Sequence, residues 1–289
     1  MPAMSALTVL ATLLVSSLGA PLAVEPPEEV FPPAGYLEKS LVASLSMAQD
    51  MENREPRMGL AEGSSVYSAH LAPGAEISLS HGAKKDEVFM AIVAPDDPEL
   101  DINLYITDKS DKELGKDTDT SSGAIVAFKA GDDRGFEFRV TNEGKEDAFV
   151  TVVLMINGGQ SKALVKAGEA IDNLMAAIRA TSILDEDMSF ASQGEWCLYG
   201  GFLKKETSFT VAGMNLTAPV SLLMGACDAG SKDIDILLMD KEGKALTSDE
   251  EKDNRPIVEY KKRIEGAQAI LGNGGDSAFC AMAVIDGTK

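Results

Sequence analysis

Histidine, tryptophan and cysteine are all scarce in this chain of 289 residues: two His, one Trp and three Cys. With only His70 and His81 as ring bases, a Ser/His/Asp or Cys/His arrangement has almost nothing to build on. No CxxC and no HExxH occurs, so the familiar zinc spacings are absent as well. Basic charge is in deficit too. The 26 Lys and Arg face 46 Asp and Glu, a formal net charge of −20. The lysines are interleaved with carboxylates, as in Lys109, Asp111, Lys112 and Glu113, so no basic stripe forms for a phosphate backbone and nucleic acid is excluded as a partner. Anionic membrane surfaces are disfavoured for the same reason.

The longest run without a charged residue lies at the N-terminus. Ala6 to Leu18 are apolar or small, and no charged residue precedes Glu25. Ser17, Gly19, Ala20 and Ala23 offer cleavage points, and residues 1–23 read as a signal peptide. Ser16, Ser17, Gly19 and Pro21 cut the run short of the roughly 20 apolar residues a membrane span needs. No cysteine follows the run to accept a lipid. Residues 24–35, with Pro26, Pro27, Pro32 and Pro33, read as a stiff exposed leader. The expectation is a secreted or periplasmic protein with no integral membrane span once the signal is cleaved.

The chain repeats itself. Displaced by 132 residues, Tyr67 falls on Tyr199, Asp101-Ile-Asn103-Leu104 on Asp233-Ile-Asp235-Ile236, and Asp108-Lys109 on Asp240-Lys241. Asp117 then meets Asp249, Ile125-Val126 meets Ile257-Val258, and a two-residue gap brings Ala148-Phe149 onto Ala278-Phe279. Residues 36–158 and 159–289 are therefore two copies of one unit.

Each copy opens with an amphipathic helix. Leu37, Leu41, Val42, Leu45 and Ala48 recur at helical spacing, as do Ala167, Ile171, Leu174, Met175 and Ile178. Strands are predicted at 75–80, 87–94, 101–107, 124–128, 135–141 and 148–156, with counterparts at 207–212, 219–226, 233–239, 256–260, 267–271 and 278–285. Asp108 to Lys112 and Asp240 to Lys244 read as hairpin turns, in which Asp bonds the backbone ahead of it and Gly243 supplies positive φ. Asn157 to Ser161 read as a flexible link. The fold class is mainly β: a tandem duplication of a helix plus an antiparallel, jelly-roll-like sandwich.

The Asp-x-Asp/Asn-aliphatic pattern at a middle strand, Asp101-Ile-Asn103-Leu104 and Asp233-Ile-Asp235-Ile236, resembles the pre-peptidase C-terminal domain family. That likeness implies jelly-roll-like sandwiches without catalytic residues, some of which bind calcium or a polymeric substrate. It covers the β part of each copy, and the leading helices fall outside its pattern.

The loops at Asp96 to Asn103 and Asp228 to Asp235 concentrate side-chain oxygens beside backbone carbonyls, as a hard cation requires. Asp96, Asp97, Asp101, Asn103, Asp228, Asp233 and Asp235 are the candidate calcium ligands; a solvated acidic loop is the alternative, since Asp at such positions often only satisfies backbone amides. The histidines map onto Phe202 and Gly213, so a base is not intrinsic to the repeat. Cys197, Cys227 and Cys280 all lie in the second copy, and one pair is expected to close in an oxidising compartment. Gly272-Asn-Gly-Gly275 is read as a turn because no βαβ pattern accompanies it. No catalytic or cofactor-binding residue stands out. The reading is a non-catalytic binding module for an extracellular polymer or protein surface, whose tandem copies offer two weak sites. A calcium-dependent version and a carboxylate hydrolase are the alternatives, the last demanding a pocket with convergent acids.

Overall fold

The computed structural model describes residues 32–131, 135–182, 188–191 and 193–287. The segment read as a signal peptide and most of that read as a leader lie outside the described residues.

The first repeat comprises α1 (Pro32–Arg54), β1 (Met58–Leu60), β2 (Gly63–Leu71), β3 (Glu76–Gly82), β4 (Val88–Pro95), β5 (Ile102–Asp108), β6 (Glu113–Asp117), β7 (Ala124–Lys129), β8 (Gly135–Asn142) and β9 (Ala148–Asn157). The second comprises α2 (Ala163–Ser182), β10 (Ser189–Phe190), β11 (Trp196–Leu203), β12 (Thr207–Leu216), β13 (Val220–Cys227), β14 (Ile234–Met239), β15 (Ala245–Asp249), β16 (Ile257–Tyr260), β17 (Ile264–Asn273) and β18 (Ala278–Gly287). Helix α1 begins at Pro32, inside the stretch read as leader. Prolines suit a helix's first turn, where the missing N–H has no intrahelical acceptor, and Ala34 is already fully buried. Val42, assigned to the apolar face, instead points outward at 57% exposure.

All sheets are antiparallel. In the first repeat the strands run β2-β9-β4-β7 in one layer and β3-β8-β5-β6 in the other; in the second they run β11-β18-β13-β16 and β12-β17-β14-β15. This is the jelly-roll order, twice. The layers meet through aromatic contacts: Phe136 of β8 lies 5.0 Å from Phe89 of β4 and 4.7 Å from Phe128 of β7, ring centre to ring centre. The outer face of the larger sheet carries the helices, α1 against β4 and β9, and α2 against β13 and β18. Covered on both faces, β9 and β18 read as continuous apolar runs rather than alternating ones. Buried hydroxyls fix α1 in place. Ser44 donates to Thr151 O (2.7 Å) and accepts from Ala94 N–H (3.0 Å), while Ser40 and Thr151 share a bond of 2.6 Å.

The copies are not beads on a string. Strand β2 pairs antiparallel with its own counterpart β11, so the two larger layers join into one ten-stranded sheet about an approximate two-fold axis. Residues Phe31–Lys289 accordingly form one unit. The stretch read as a flexible link is laced to β1: Leu60 and Gln160 exchange backbone bonds of 3.3 and 2.9 Å. A Cβ on Gly159 would lie 2.6 Å from Leu60 O, so that glycine serves close approach, while Gly158, at φ 78°, serves a left-handed turn.

Candidate functional site

Most acidic residues that recur between the copies are spent on backbone amides. Asp108 Oδ1 accepts from Ser110 and Lys112 N–H, as Asp240 Oδ1 accepts from Glu242 and Lys244 N–H. The same turns place Asp111 and Gly243 at equivalent left-handed positions, φ 62° and 81°. Asp117 caps Ile125 N–H, and Asp249 caps Ile257 N–H. Asn142 and Asn273 share another role, each donating its amide across the turn before the last strand, to Glu146 O and Asp276 O respectively, at 2.8 Å.

Three of the seven candidate calcium ligands, Asp96, Asp97 and Asp228, follow this pattern. Asp96 accepts Phe149 N–H and Asp97 accepts Glu99 N–H, both at 2.9 Å. Asp228, 1% exposed, accepts Phe279 N–H at 3.0 Å as well as Gly230 N–H. Asp233 holds the glycine turn through its backbone oxygen, which accepts from Gly274 and Gly275 N–H. Burial, then the charges of Asp233, Glu250 and Asp249, pushes the Asp235 carboxyl above its ordinary range. Asp101 and Asn103 each keep a buried Oδ1 with no hydrogen-bond partner. Yet among the described residues no group of three His, Cys, Asp or Glu side chains is placed to hold a metal ion. Millimolar calcium and excess EDTA are therefore expected to give the same thermal midpoint; a rise with calcium that Asp101→Ala with Asp233→Ala abolishes would overturn this.

The structure instead builds a cavity of about 950 Å³ at one end of the first repeat, between α1, the end of β2, the 96–100 loop and β10. Its walls are aromatic. His70 stands opposite Phe149 in the β2/β9 register, and their rings stack at 4.6 Å and 13°. Phe190 meets Phe149 edge-on at 5.7 Å. Tyr36, 49% exposed, closes the helix side, with the Lys39 ammonium 5.1 Å from its ring centre. Carboxylates rim the cavity: Asp96, Asp97, Glu146 and Asp147. His70 Nε2 lies 3.7 Å from Asp147 Oδ2. Burial pushes the Asp96 carboxyl above its usual range, against the opposing bond from Phe149 N–H.

At the matching place in the second repeat a lysine stands over the carboxylate. Asp228 takes the role of Asp96, Phe279 that of Phe149, and Phe202 that of His70. Lys166 of α2 puts its ammonium 3.7 Å from Asp228 Oδ2, 3.4 Å from Ser277 O and 5.7 Å from the Phe202 ring centre. Two equivalent sites, as the tandem repeat suggested, are thus not what the geometry provides. Sequence reasoning missed Tyr36, Lys39, Asp147, Phe149 and Phe190; the available signal was divergence between copies, His70 against Phe202 and Asp147 against Ser277.

The other histidine is structural. His81 stacks on Phe136 at 5.3 Å, its ring nitrogens lie 2.7 Å from Gly82 O and 3.2 Å from Ser64 O, and burial lowers its pKa against those two carbonyls. Asn215 of the Asn-Leu-Thr sequence is also engaged, donating to Glu195 and accepting from Gly266 N–H.

No family model matches the chain, and no curated protein sequence matches it. Among solved structures, it resembles the mitogen from Yersinia pseudotuberculosis at 8% identity and TM-score 0.28, over 36% of this chain and 93% of that one. It also resembles PliG, a periplasmic inhibitor of g-type lysozyme from Aeromonas hydrophila, at 9% and 0.26, over 33% and 88%. The PBSX exported protein XepA gives 10% and 0.28, over 78% and 88%. Likenesses this distant name no family.

Proposed function

We propose that the protein is a non-catalytic, extracytoplasmic binding protein that engages its partner through the cavity of the first repeat. One observation carries this reading: two copies share one scaffold, and the first holds a cavity at the place where the second holds the Lys166 ammonium. Asp96 and Asp228 make the same backbone bonds, so the scaffold is held alike in both and the difference lies in what occupies the site. The apolar segment before Glu25 supports export. Among the described residues, no helix is long and apolar enough to cross a membrane.

An acid-rimmed cavity is also what a carboxylate hydrolase needs, and the upward shift of Asp96 favours that as the second reading. One experiment separates the two. A panel of cationic, neutral and anionic fragments, chromogenic glycosides and esters included, is titrated into isotope-labelled protein and followed by NMR. Amide shifts are expected to cluster on His70, Phe149 and Ser189, with no panel member turned over. Clustering elsewhere would overturn the site, and hydrolysis lost in Asp96→Asn would overturn the non-catalytic assignment.

A further inference from the structure

Resting on the reading of this cavity as a binding site, we infer that it takes an alkylammonium: a primary ammonium on an aliphatic stem. The second repeat displays this chemistry within its own chain. There the lysine stem leads an ammonium to a buried carboxylate, a backbone carbonyl and the face of an aromatic ring. In the first repeat the carboxylate is Asp96 and the ring position is His70, stacked on Phe149. The lysine on the matching helix, Lys39, lines the cavity with its ammonium against Tyr36 and near enough for its charge to favour the ionised Asp96, but it makes no ion pair with that carboxylate as Lys166 does with Asp228.

Charge and shape point the same way. Asp96, Asp97, Glu146 and Asp147 face Lys39 and His70 across the cavity, so carboxylates outnumber cationic groups and an anion is repelled. The exposed ring of Tyr36, with the free edges of the mostly buried Phe149 and Phe190, gives an aliphatic stem apolar surface to cover, which ammonia or a metal cation could not use. Where the second copy has Ser277, the first has Asp147, a further carboxylate at the mouth. The ammonium can come from a free diamine or from the lysine side chain of a protein partner.

The test uses the mature chain at about 150 mM salt, where non-specific attraction to the acidic surface is screened. Cadaverine and Nα-acetyl-lysine methyl amide are titrated as two arms, with n-pentanol and hexanoate as neutral and anionic controls. At least one amine is expected to bind with a Kd on the order of 1 mM, a scale set by its few atoms, and to shift the amides of His70 and Phe149. The tighter arm identifies the source. Asp96→Asn with Asp147→Asn, which keeps an acceptor for Phe149 N–H, is expected to weaken the amine at least tenfold. Lys39→Ala removes a competing cation and is expected to tighten it severalfold. Affinity is expected to fall as pH drops through the raised range of Asp96, because the protonated carboxyl no longer attracts the ammonium. Neutral or anionic fragments binding the cavity better than either amine would overturn this inference and leave the binding site standing. Amine shifts unaffected by the double substitution would reduce the effect to surface charge and overturn it as well. Silence of the cavity toward every probe would remove both readings.

Discussion

Refolded in oxidising buffer, the chain is expected to close a disulfide between Cys227 and Cys280 and to keep Cys197 as its remaining thiol. The three cysteines are free and buried in this structure. Cys227 of β13 faces Cys280 of β18 in register. The next pair along, Asp228 and Phe279, carries the backbone bond from Asp228 N–H to Phe279 O. Bonded and non-bonded pairs alternate in an antiparallel ladder, so 227/280 is a non-bonded pair with Cα atoms about 4.5 Å apart, inside the ~4.4 to 6.8 Å that a disulfide spans. The first repeat supports the assignment: the same two positions hold Pro95 and Val150, and a proline is tolerated where no ladder N–H is needed. The Cys280 thiol bonds to Cys227, which lowers the Cys227 pKa and raises that of Cys280. During refolding, before both thiols are buried, the Cys227 thiolate attacks an external disulfide such as oxidised glutathione and expels one thiolate. Deprotonated Cys280 then attacks the Cys227 sulfur of the mixed disulfide and releases the second. Cys197 bonds to Ser68 O and is pushed up to about 12 by burial, so it stays inert. Closing a loop of about 50 residues stabilises by at most about 4 kcal/mol, a rise of the midpoint on the order of 10 °C. Thiol titration in denaturant and melting with and without reductant check this. Three titratable thiols after oxidative refolding, or a Cys227→Ala variant as stable as the oxidised protein, would refute it.

Legibility in the sequence followed what each residue type can signal. The strands found from pattern alone were those with an apolar face or an apolar run, such as β5 and β9. Strands β6 and β15 escaped because both are half-exposed throughout and carry no alternation; the seam strands β2 and β11 escaped too, although largely buried, because Ser64, Ser65 and Ser68 in one and Gly200 and Gly201 in the other interrupt the apolar pattern. The N-terminal prolines spoke for a leader because proline reads alike as extended chain and as the first turn of a helix. The acidic repeats looked like metal loops for a related reason: a sequence shows the carboxylate and not the amide it accepts. Asp96 and Asp228 recur because both copies must cap the same ladder. What the repeat keeps is scaffold, and the cavity lies where the copies part company, at His70, Asp147 and the helix side chains opposite them. Helix-to-sheet approach is set by tertiary packing, so Tyr36 and Lys39 carried no local mark.

Alanine at Gly201 is expected to damage this protein far more than alanine at Gly200, because the two glycines face different kinds of neighbour at the seam between repeats. A Cβ on Gly201 would meet backbone: Gly63 C at 2.6 Å and Ser64 Cα at 2.9 Å. A Cβ on Gly200 would meet side chains, the Phe279 ring at 2.9 Å and Val66 Cβ at 3.5 Å. A ring can tilt, at a cost of about 1 to 2 kcal/mol. The β2 backbone at Gly63 and Ser64 has little room to retreat, since the chain is tied to β9 on either side, by Ala61 N–H to Leu154 O and by the register from Val66 on, as β18 pairs β11. Gly201→Ala must therefore force the central strands apart or unfold the end of β11, at about 3 kcal/mol or more. The single tryptophan reports which. Trp196 sits at the seam, 7% exposed, its indole N–H bonded to Ser78 O and its ring 5.9 Å from Tyr67 and 5.7 Å from Phe138 of the other copy. The wild-type chain is expected to lose tryptophan and circular-dichroism signals in one transition, because the copies share a sheet. In Gly201→Ala the emission is expected to shift red before the sheet signal falls. Equal midpoints for the two alanine variants, with unshifted emission, would mean the repeats stand without the seam.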